Sequence, residues 1–259
     1  MNNTKRKNEP MTPTLAAPTC PAENGLRPRT SPVDQARCAT CNLRDMCLPR
    51  GLDRDGVAAF AEMVSTRKRV KRGESLYRTG DTFNAIYAVR MGFFKSRVIL
   101  DDGRDQVTGF HMPGEIVGMD GIGTERHTTD EIALEDSEVC VIPYARLDEP
   151  GMQRQLHKAM SRELVRDQGV MMLLGTMRAE ERIATFLLNL SQRYAARGFS
   201  CSEFHLRMTR DEIGSYLGLS LETVSRLLSR LDDEGVIAVR QKHVVIRDMG
   251  ALRALMARG

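Results

Sequence analysis

Apolar and polar positions change rhythm along the chain. Between residues 69 and 143, short apolar and β-branched runs alternate with turn signals. The runs fall at 75–77, 85–89, 93–99, 106–110 and 138–142, and the turns include Lys71-Arg72-Gly73, Thr79-Gly80-Asp81 and Met112-Pro113-Gly114. Many short strands at close spacing predict a small antiparallel barrel or jelly roll. The rhythm then turns helical. Leu156, Met160, Leu164, Asp167, Met171 and Leu174 are spaced by 4, 4, 3, 4 and 3 residues, close to a heptad seam. No proline interrupts 152–177, where Gly169 and Gly175 are the only breakers. So long an apolar stripe has to be covered, by a second copy of the chain or by the chain's own barrel. Asp167 on such a seam would face its symmetry mate in a parallel pair and oppose association. A slight rotation of the helix would put it on the rim instead.

The last third carries a different pattern. Thr209-Arg210-Asp211-Glu212 is a capping box that opens a short helix with Ile213, Tyr216 and Leu217 on its apolar face, ended by Gly218. Ser220 is the candidate N-cap of a second helix, whose Val224, Leu227, Leu228 and Leu231 form one buried stripe. Glu222, Ser225, Arg226, Ser229 and Arg230 lie opposite. Two short helices about a glycine turn form a helix-turn-helix, and the β-branched runs 236–239 and 244–246 form a hairpin wing around Arg240-Gln241-Lys242-His243. Lys242 at the wing tip suits phosphate contacts. Arg226 can fork onto guanine O6 and N7, and Glu222 can accept from cytosine N4. Ser225 is short enough to allow close approach. The same face also reads as a solvated helix surface with a Glu222–Arg226 pair.

Composition narrows the class. The chain has 259 residues, 28% of them charged and 41% hydrophobic, which fits one or two folded domains and excludes a fibrous or fully disordered chain. Residues 1–34 hold six of the ten prolines and little apolar periodicity, and read as a mobile tail. No apolar run approaches the roughly 20 residues of a membrane span, and the first ten residues lack the apolar stretch of a signal peptide. A cytoplasmic protein with reduced thiols is the expectation. Net charge runs +4, −5, +2 and +3 over residues 1–50, 51–150, 151–177 and 178–259, so a polyanion would meet the C-terminal end.

Three of the six cysteines crowd into one short segment, Cys38, Cys41 and Cys47. Three thiols are an incomplete set for a tetrahedral or cubane site. Cys140, Cys20, Cys201 or a histidine could supply the fourth ligand, and spacing leaves zinc and a [4Fe–4S] cluster equally open, with a redox disulfide behind them. The five histidines are scattered singly, and the chain has no nucleophile motif, P-loop or paired catalytic carboxylates. Enzymatic chemistry is not expected.

The segments Cys38-Ala39-Thr40-Cys41-Asn42-Leu43-Arg44-Asp45-Met46-Cys47-Leu48-Pro49, Tyr87-Ala88-Val89-Arg90-Met91-Gly92, Gly114-Glu115-Ile116-Val117-Gly118, Ala179-Glu180-Glu181-Arg182 and Leu221-Glu222-Thr223-Val224-Ser225-Arg226 resemble the FNR-type oxygen-sensing branch of the cyclic AMP receptor protein superfamily. The resemblance covers roughly residues 38–247. It implies an α+β chain: a tail over 1–34, a sensor domain with cysteine loop and β-barrel over 35–150, a dimerisation helix over 151–177, and a winged helix-turn-helix over 178–259. It further implies a homodimer that senses oxygen through a [4Fe–4S] cluster on Cys38, Cys41, Cys47 and Cys140 and controls genes for anaerobic metabolism. Glu222, Ser225 and Arg226 would read double-stranded DNA at an inverted repeat similar to TTGAT-N4-ATCAA, with Thr209, Arg210, Ser220 and Lys242 beside them. RNA polymerase is an expected partner, reached through barrel loops such as Asp101-Asp102-Gly103-Arg104. Cyclic-nucleotide-binding relatives place an Arg-Ser or Arg-Thr pair after their Gly-Glu turn. Here Arg126 precedes His127, and Asp130-Glu131 follow, so no cyclic nucleotide is expected.

Overall fold

The computed structural model describes residues 38–64, 66–100, 102–147 and 150–257. The expected tail, Cys20 and Asp101 lie outside them. A helix, α1 (Arg54–Met63), is followed by eight strands: β1 (Thr66–Val70), β2 (Ser75–Tyr77), β3 (Ala85–Met91), β4 (Phe94–Ile99), β5 (Asp105–His111), β6 (Ile116–Val117), β7 (Asp130–Ala133) and β8 (Ser137–Pro143). They form two antiparallel four-stranded sheets, ordered β1-β8-β3-β6 and β2-β7-β4-β5. The jelly roll expected from the alternating runs is present. Its interior is apolar, with Leu76, Val89, Phe94, Val117 and Val139 contributed by both sheets.

Two strands are buried on both faces. Along β3 and β8 successive side chains point to opposite sides, so Val89 and Val139 enter the barrel while Ile86, Ala88, Cys140 and Ile142 face a second core outside it. That second core also holds Leu48, Phe60 and Met63. Strand β1 escaped the sequence reading because only Val70 of its five residues is buried. It is an edge strand, where charged residues guard against unwanted pairing. Strand β7 escaped because buried Asp130 and Glu131 break the apolar signal.

The helical seam forms α2 (Pro150–Thr176), 27 residues without a break. Leu156 is buried against the chain's own second core and Leu174 packs against the C-terminal core. The ends of the expected seam are therefore covered within the chain. Its middle is exposed: Met160 by 39%, Leu164 by 58% and Met171 by 62%, with Asp167 also exposed.

The C-terminal part comprises α3 (Ala179–Ala196), β9 (Glu203–His205), α4 (Arg210–Leu217), α5 (Leu221–Asp233), β10 (Ile237–Arg240), β11 (His243–Ile246) and α6 (Met249–Ala254). The wing is a three-stranded sheet ordered β10-β11-β9. Helix α3 is its spine, burying Ile183, Leu187 and Leu190. This core runs on into the barrel through Phe93, Val107, Phe110 and Met112, and the Phe110 ring lies 5.1 Å from Tyr216. Lys95 on β4 also donates to Glu212 on α4 at 2.7 Å.

Gly92 closes the β3–β4 turn at φ +87°, and a Cβ there would stand 2.1 Å from Ser137 Oγ and 2.8 Å from Ser137 Cα. Left-handed strain and overpacking add, so Gly92→Ala should destabilise the chain by about 2–4 kcal/mol. Urea unfolding would show a lower midpoint at an unchanged slope.

Candidate nucleic-acid interface and thiol cluster

Local chemistry builds the helix pair as its sequence pattern indicated. Thr209 Oγ1 accepts from the Glu212 amide at 3.1 Å and Glu212 returns the bond to the Thr209 amide at 2.6 Å. Gly218 ends α4 at φ 62°, a left-handed cap. The turn is tight enough that a Cβ on Gly214 would meet Leu219 O at 2.5 Å. Ser220 caps α5, accepting from the Thr223 amide at 3.2 Å. The hydroxyls of Thr209 and Ser220 are thus engaged in capping.

Helix α5 buries Val224, Leu227, Leu228 and Leu231 and leaves Glu222 and Arg226 exposed, with Ser225 half-buried between them. No Glu222–Arg226 ion pair forms among the described residues. Arg230 is engaged instead, with Glu234 at 2.7 Å and Glu180 at 3.2 Å. Among the described residues Arg226 has no carboxylate partner and lies exposed on the outer face. Arg210 is half-buried at the start of α4. Gln241 at φ 58° and Lys242 make the wing turn, and Lys242 Nζ donates to Arg207 O at 3.0 Å. The wing lysine is therefore tethered, and Arg240 is the more exposed cation.

The structure brings Cys38, Cys41, Cys47 and Cys140 within electrostatic reach of one another. Three of them come from the turn-rich loop before α1 and the fourth from β8. Cys38, Cys47 and Cys140 pack against the second core. Burial first, then proximity to the other cysteines, pushes Cys38 up to about 11. Burial raises Cys47 to about 12, and its neighbouring cysteines add to the effect. Cys140 is raised by burial as well. Such thiols are protonated near neutrality and poor nucleophiles; a metal has to displace their protons to bind. Among the described residues no three ligands stand close enough for a single ion. Arg67, the β1 partner of Cys140 in register, has a buried Nε that makes no hydrogen bond and lies 3.9 Å from Glu138. Sulfur donors suit a soft metal or a metal–sulfide group, and the charge of Arg67 is already met by Glu138.

Arg182 lies in the Ala179–Arg182 segment, but no spacing there marked it for a role. Its guanidinium donates to Met177 O, Leu217 O and Leu174 O at 2.8–2.9 Å, tying the end of α2 to the helix-turn-helix. Glu115, in the Gly114–Gly118 segment, was likewise given no pairing role by its spacing. Its carboxylate takes Arg193 of α3 at 2.7 Å and Arg197, the residue that follows α3, at 2.7 Å, and stands 3.6 Å from Arg166 on α2. Burial alone would raise its pKa, but Arg193, Arg166 and Arg197 outweigh burial and hold it near 2.

Polar groups also line the barrel wall. The carboxylate of Asp120 accepts from the amides of Thr128 at 2.7 Å and Thr129 at 3.1 Å, and contacts His127 Nδ1 at 3.1 Å. The His127 ring stacks on Tyr77, with centroids 3.7 Å apart. Deeper, Ser96 Oγ lies 2.5 Å from Glu131 Oε2 and 2.8 Å from His111 Nε2.

Two family models match the chain: a cyclic nucleotide-binding domain over residues 67–150 and a Crp-like helix-turn-helix domain over 181–255. The chain is 47% identical to the transcriptional regulatory protein btr of Bordetella pertussis, over 86% of this chain and 94% of that one. It is 48% identical to the transcriptional activator protein Anr of Pseudomonas protegens, over 86% and 93%. With the fumarate and nitrate reduction regulatory protein of Salmonella typhimurium it shares 41% identity over 84% and 89%. Among solved structures, FixK2 from Bradyrhizobium japonicum superposes with a TM-score of 0.69 at 32% identity, covering 75% of this chain and 98% of that one.

Glu131 gives a pH test of the barrel wall. Burial raises its pKa from 4.5 to about 8. The folded chain therefore keeps a proton that the unfolded chain releases above about 4.5, and stability falls as pH rises from there toward 8, by up to about 1.4 kcal/mol per pH unit. Glu131→Gln cannot ionise, so its stability advantage over the native chain should grow across that window in denaturant melts. Parallel pH profiles would show instead that Glu131 titrates normally.

Proposed function

The chain belongs to the CRP/FNR family of transcriptional regulators, and from that premise we propose that it is a homodimer switched by oxygen through a [4Fe–4S] cluster on Cys38, Cys41, Cys47 and Cys140. It is a DNA-binding regulator and not an enzyme. The observation that carries the oxygen reading is the packing of Cys38, Cys47 and Cys140 against the core that also buries the start of α2, with Cys41 close enough to act on all three. An iron–sulfur group bound there supplies oxygen-labile redox chemistry and ties the loop to β8.

The protein's own residues supply the transmission. Leu48, beside Cys47, is fully buried with Met152, Leu156 and Ala159 of α2. Order in the loop supports the first turns of α2, and the exposed stripe of Met160, Leu164 and Met171 follows directly. That stripe is the dimer seam. Asp167 lies within it, and repulsion between two copies keeps the pair marginal, so a modest gain in order at the loop shifts the population. Association sets two copies of α5 about one turn of DNA apart, where Glu222, Ser225 and Arg226 read the half-sites of an inverted repeat resembling TTGAT-N4-ATCAA. Relatives named for anaerobic regulation and for fumarate and nitrate reduction support genes of anaerobic metabolism as targets. The hairpin tip near Asp102 and Arg104, with exposed Ile99 and Leu100, is the surface we assign to RNA polymerase.

The barrel takes no cyclic nucleotide in this reading. The Thr128 and Thr129 amides, on the segment where nucleotide-binding relatives hold the phosphate, are occupied by Asp120. No helix among the described residues is long and apolar enough to cross a membrane.

Protein purified without oxygen should be brown, with about four irons per chain, bleach in air, and lose its iron in Cys140→Ala. A colourless protein with one tightly bound zinc would keep the DNA-binding function and remove the oxygen switch. Asp167→Ala should tighten the dimer, read by sedimentation equilibrium; unchanged association would take Asp167 off the seam.

A further inference from the structure

A cleft of about 270 Å³ opens where the cysteine loop, the Gly114-Glu115 turn, α2 and α3 meet. Five arginines line it, Arg50, Arg162, Arg166, Arg193 and Arg197, against two acids, Glu115 and Glu163. The inner three arginines are engaged. Arg193 and Arg197 hold Glu115, and Arg166 lies 3.0 Å from Glu163. The outer two, Arg50 and Arg162, have no carboxylate among the described residues. Arg162 is exposed overall, yet partial desolvation first, and then the repulsion of Arg50 and Arg166, keep its pKa below the usual arginine value. The cleft has an excess of three positive charges, and nothing in the described chain neutralises them.

We propose that this cleft binds a small polyanion bearing phosphate or carboxylate groups, clamped between Arg50 of the cysteine loop and Arg162 of α2. Guanidinium forks match the oxygens of both groups in two-bond geometry. An anion there relieves the repulsion between the outer arginines in a partly dehydrated setting, where the attraction exceeds its value in water. The volume falls just below the roughly 300–1,000 Å³ of clefts that hold drug-sized ligands, which points to a compact ligand. The cleft lies on the Ala159, Glu163 and Arg166 face of α2, away from Met160, Leu164 and Met171, so dimerisation leaves it open. A bound anion would join the cysteine loop to α2 and, through Arg193 and Arg197, to the DNA-binding part. This assignment goes beyond the oxygen reading and stands without it.

Calorimetric titration of the full-length protein with pyrophosphate, and separately with citrate, tests the site at about 0.1 M ionic strength, where the Debye length is about 10 Å. The expected result is saturable binding of one anion per chain, weakened at least about tenfold in Arg50→Gln and in Arg162→Gln and unaffected in Arg226→Gln, since losing one charge-assisted bond costs on that order. Both variants change exposed side chains, and either serves if the other fails to fold. Preference for pyrophosphate identifies a phosphate ligand, and preference for citrate a carboxylate one. Absence of saturation with both probes overturns the proposal. So does binding that survives both cleft variants or disappears only in Arg226→Gln, which would assign the anion to the DNA face.

Discussion

The carboxylate of Glu115 is the point on which the arrangement of the parts depends. It projects from the barrel, accepts from the guanidiniums of Arg193 on α3 and of Arg197 just after it, and lies within reach of a third on α2. Removing those charges from water costs nearly as much as their attraction returns, so the cluster adds little net stability. Its contribution is to location. A single carboxylate surrounded by arginines leaves few orientations in which every buried charge is matched, and any other docking of α3 on the barrel strands one of them. Apolar contacts around Phe110 and Tyr216 supply cohesion, and the ion cluster and the Lys95–Glu212 pair select the register in which the surfaces meet.

From that docking the reading face follows. Helix α3 is the spine of the C-terminal core, so fixing α3 also aims α4 and α5. Arg182 reinforces the same geometry by capping the ends of α2 and α4 with one guanidinium. The thiol loop acts from the other side, through the apolar core shared with the start of α2. Helix α2 therefore receives loop order at one end, barrel charge in the middle and the DNA-binding part at the other end. The arginine cleft lies where those influences meet, which is why an anion bound there would be felt by all three.

Signals confined to a few turns of chain were legible in advance. The Thr209 capping box, the Ser220 cap, the stripe of α5, the crowded cysteines and the alternation of most barrel strands are set by covalent spacing and side-chain chemistry, and distant residues scarcely alter them. Cys140 was only one candidate among several until a family resemblance singled it out. In the structure the period-2 alternation of β8 turns it outward with Ile142, toward the loop. The seam was legible as a pattern but not as a surface: Leu156 and Leu174 belong to the same periodicity as Met160 and Met171, yet the chain's own cores cover them.

The sequence alone determined most of the elements and the helix-turn-helix, because these rest on periodicity and capping within roughly a dozen residues. Only the tertiary structure decided which charges meet. Glu115 and Arg193 are 78 residues apart, Lys95 and Glu212 are 117 apart, and no local pattern marks either pair. Ion pairing depends on distance and burial after folding, and neither is encoded by spacing along the chain. The same reason explains why five arginines scattered from residue 50 to residue 197 look unremarkable as sequence and become one cationic cleft in the folded protein.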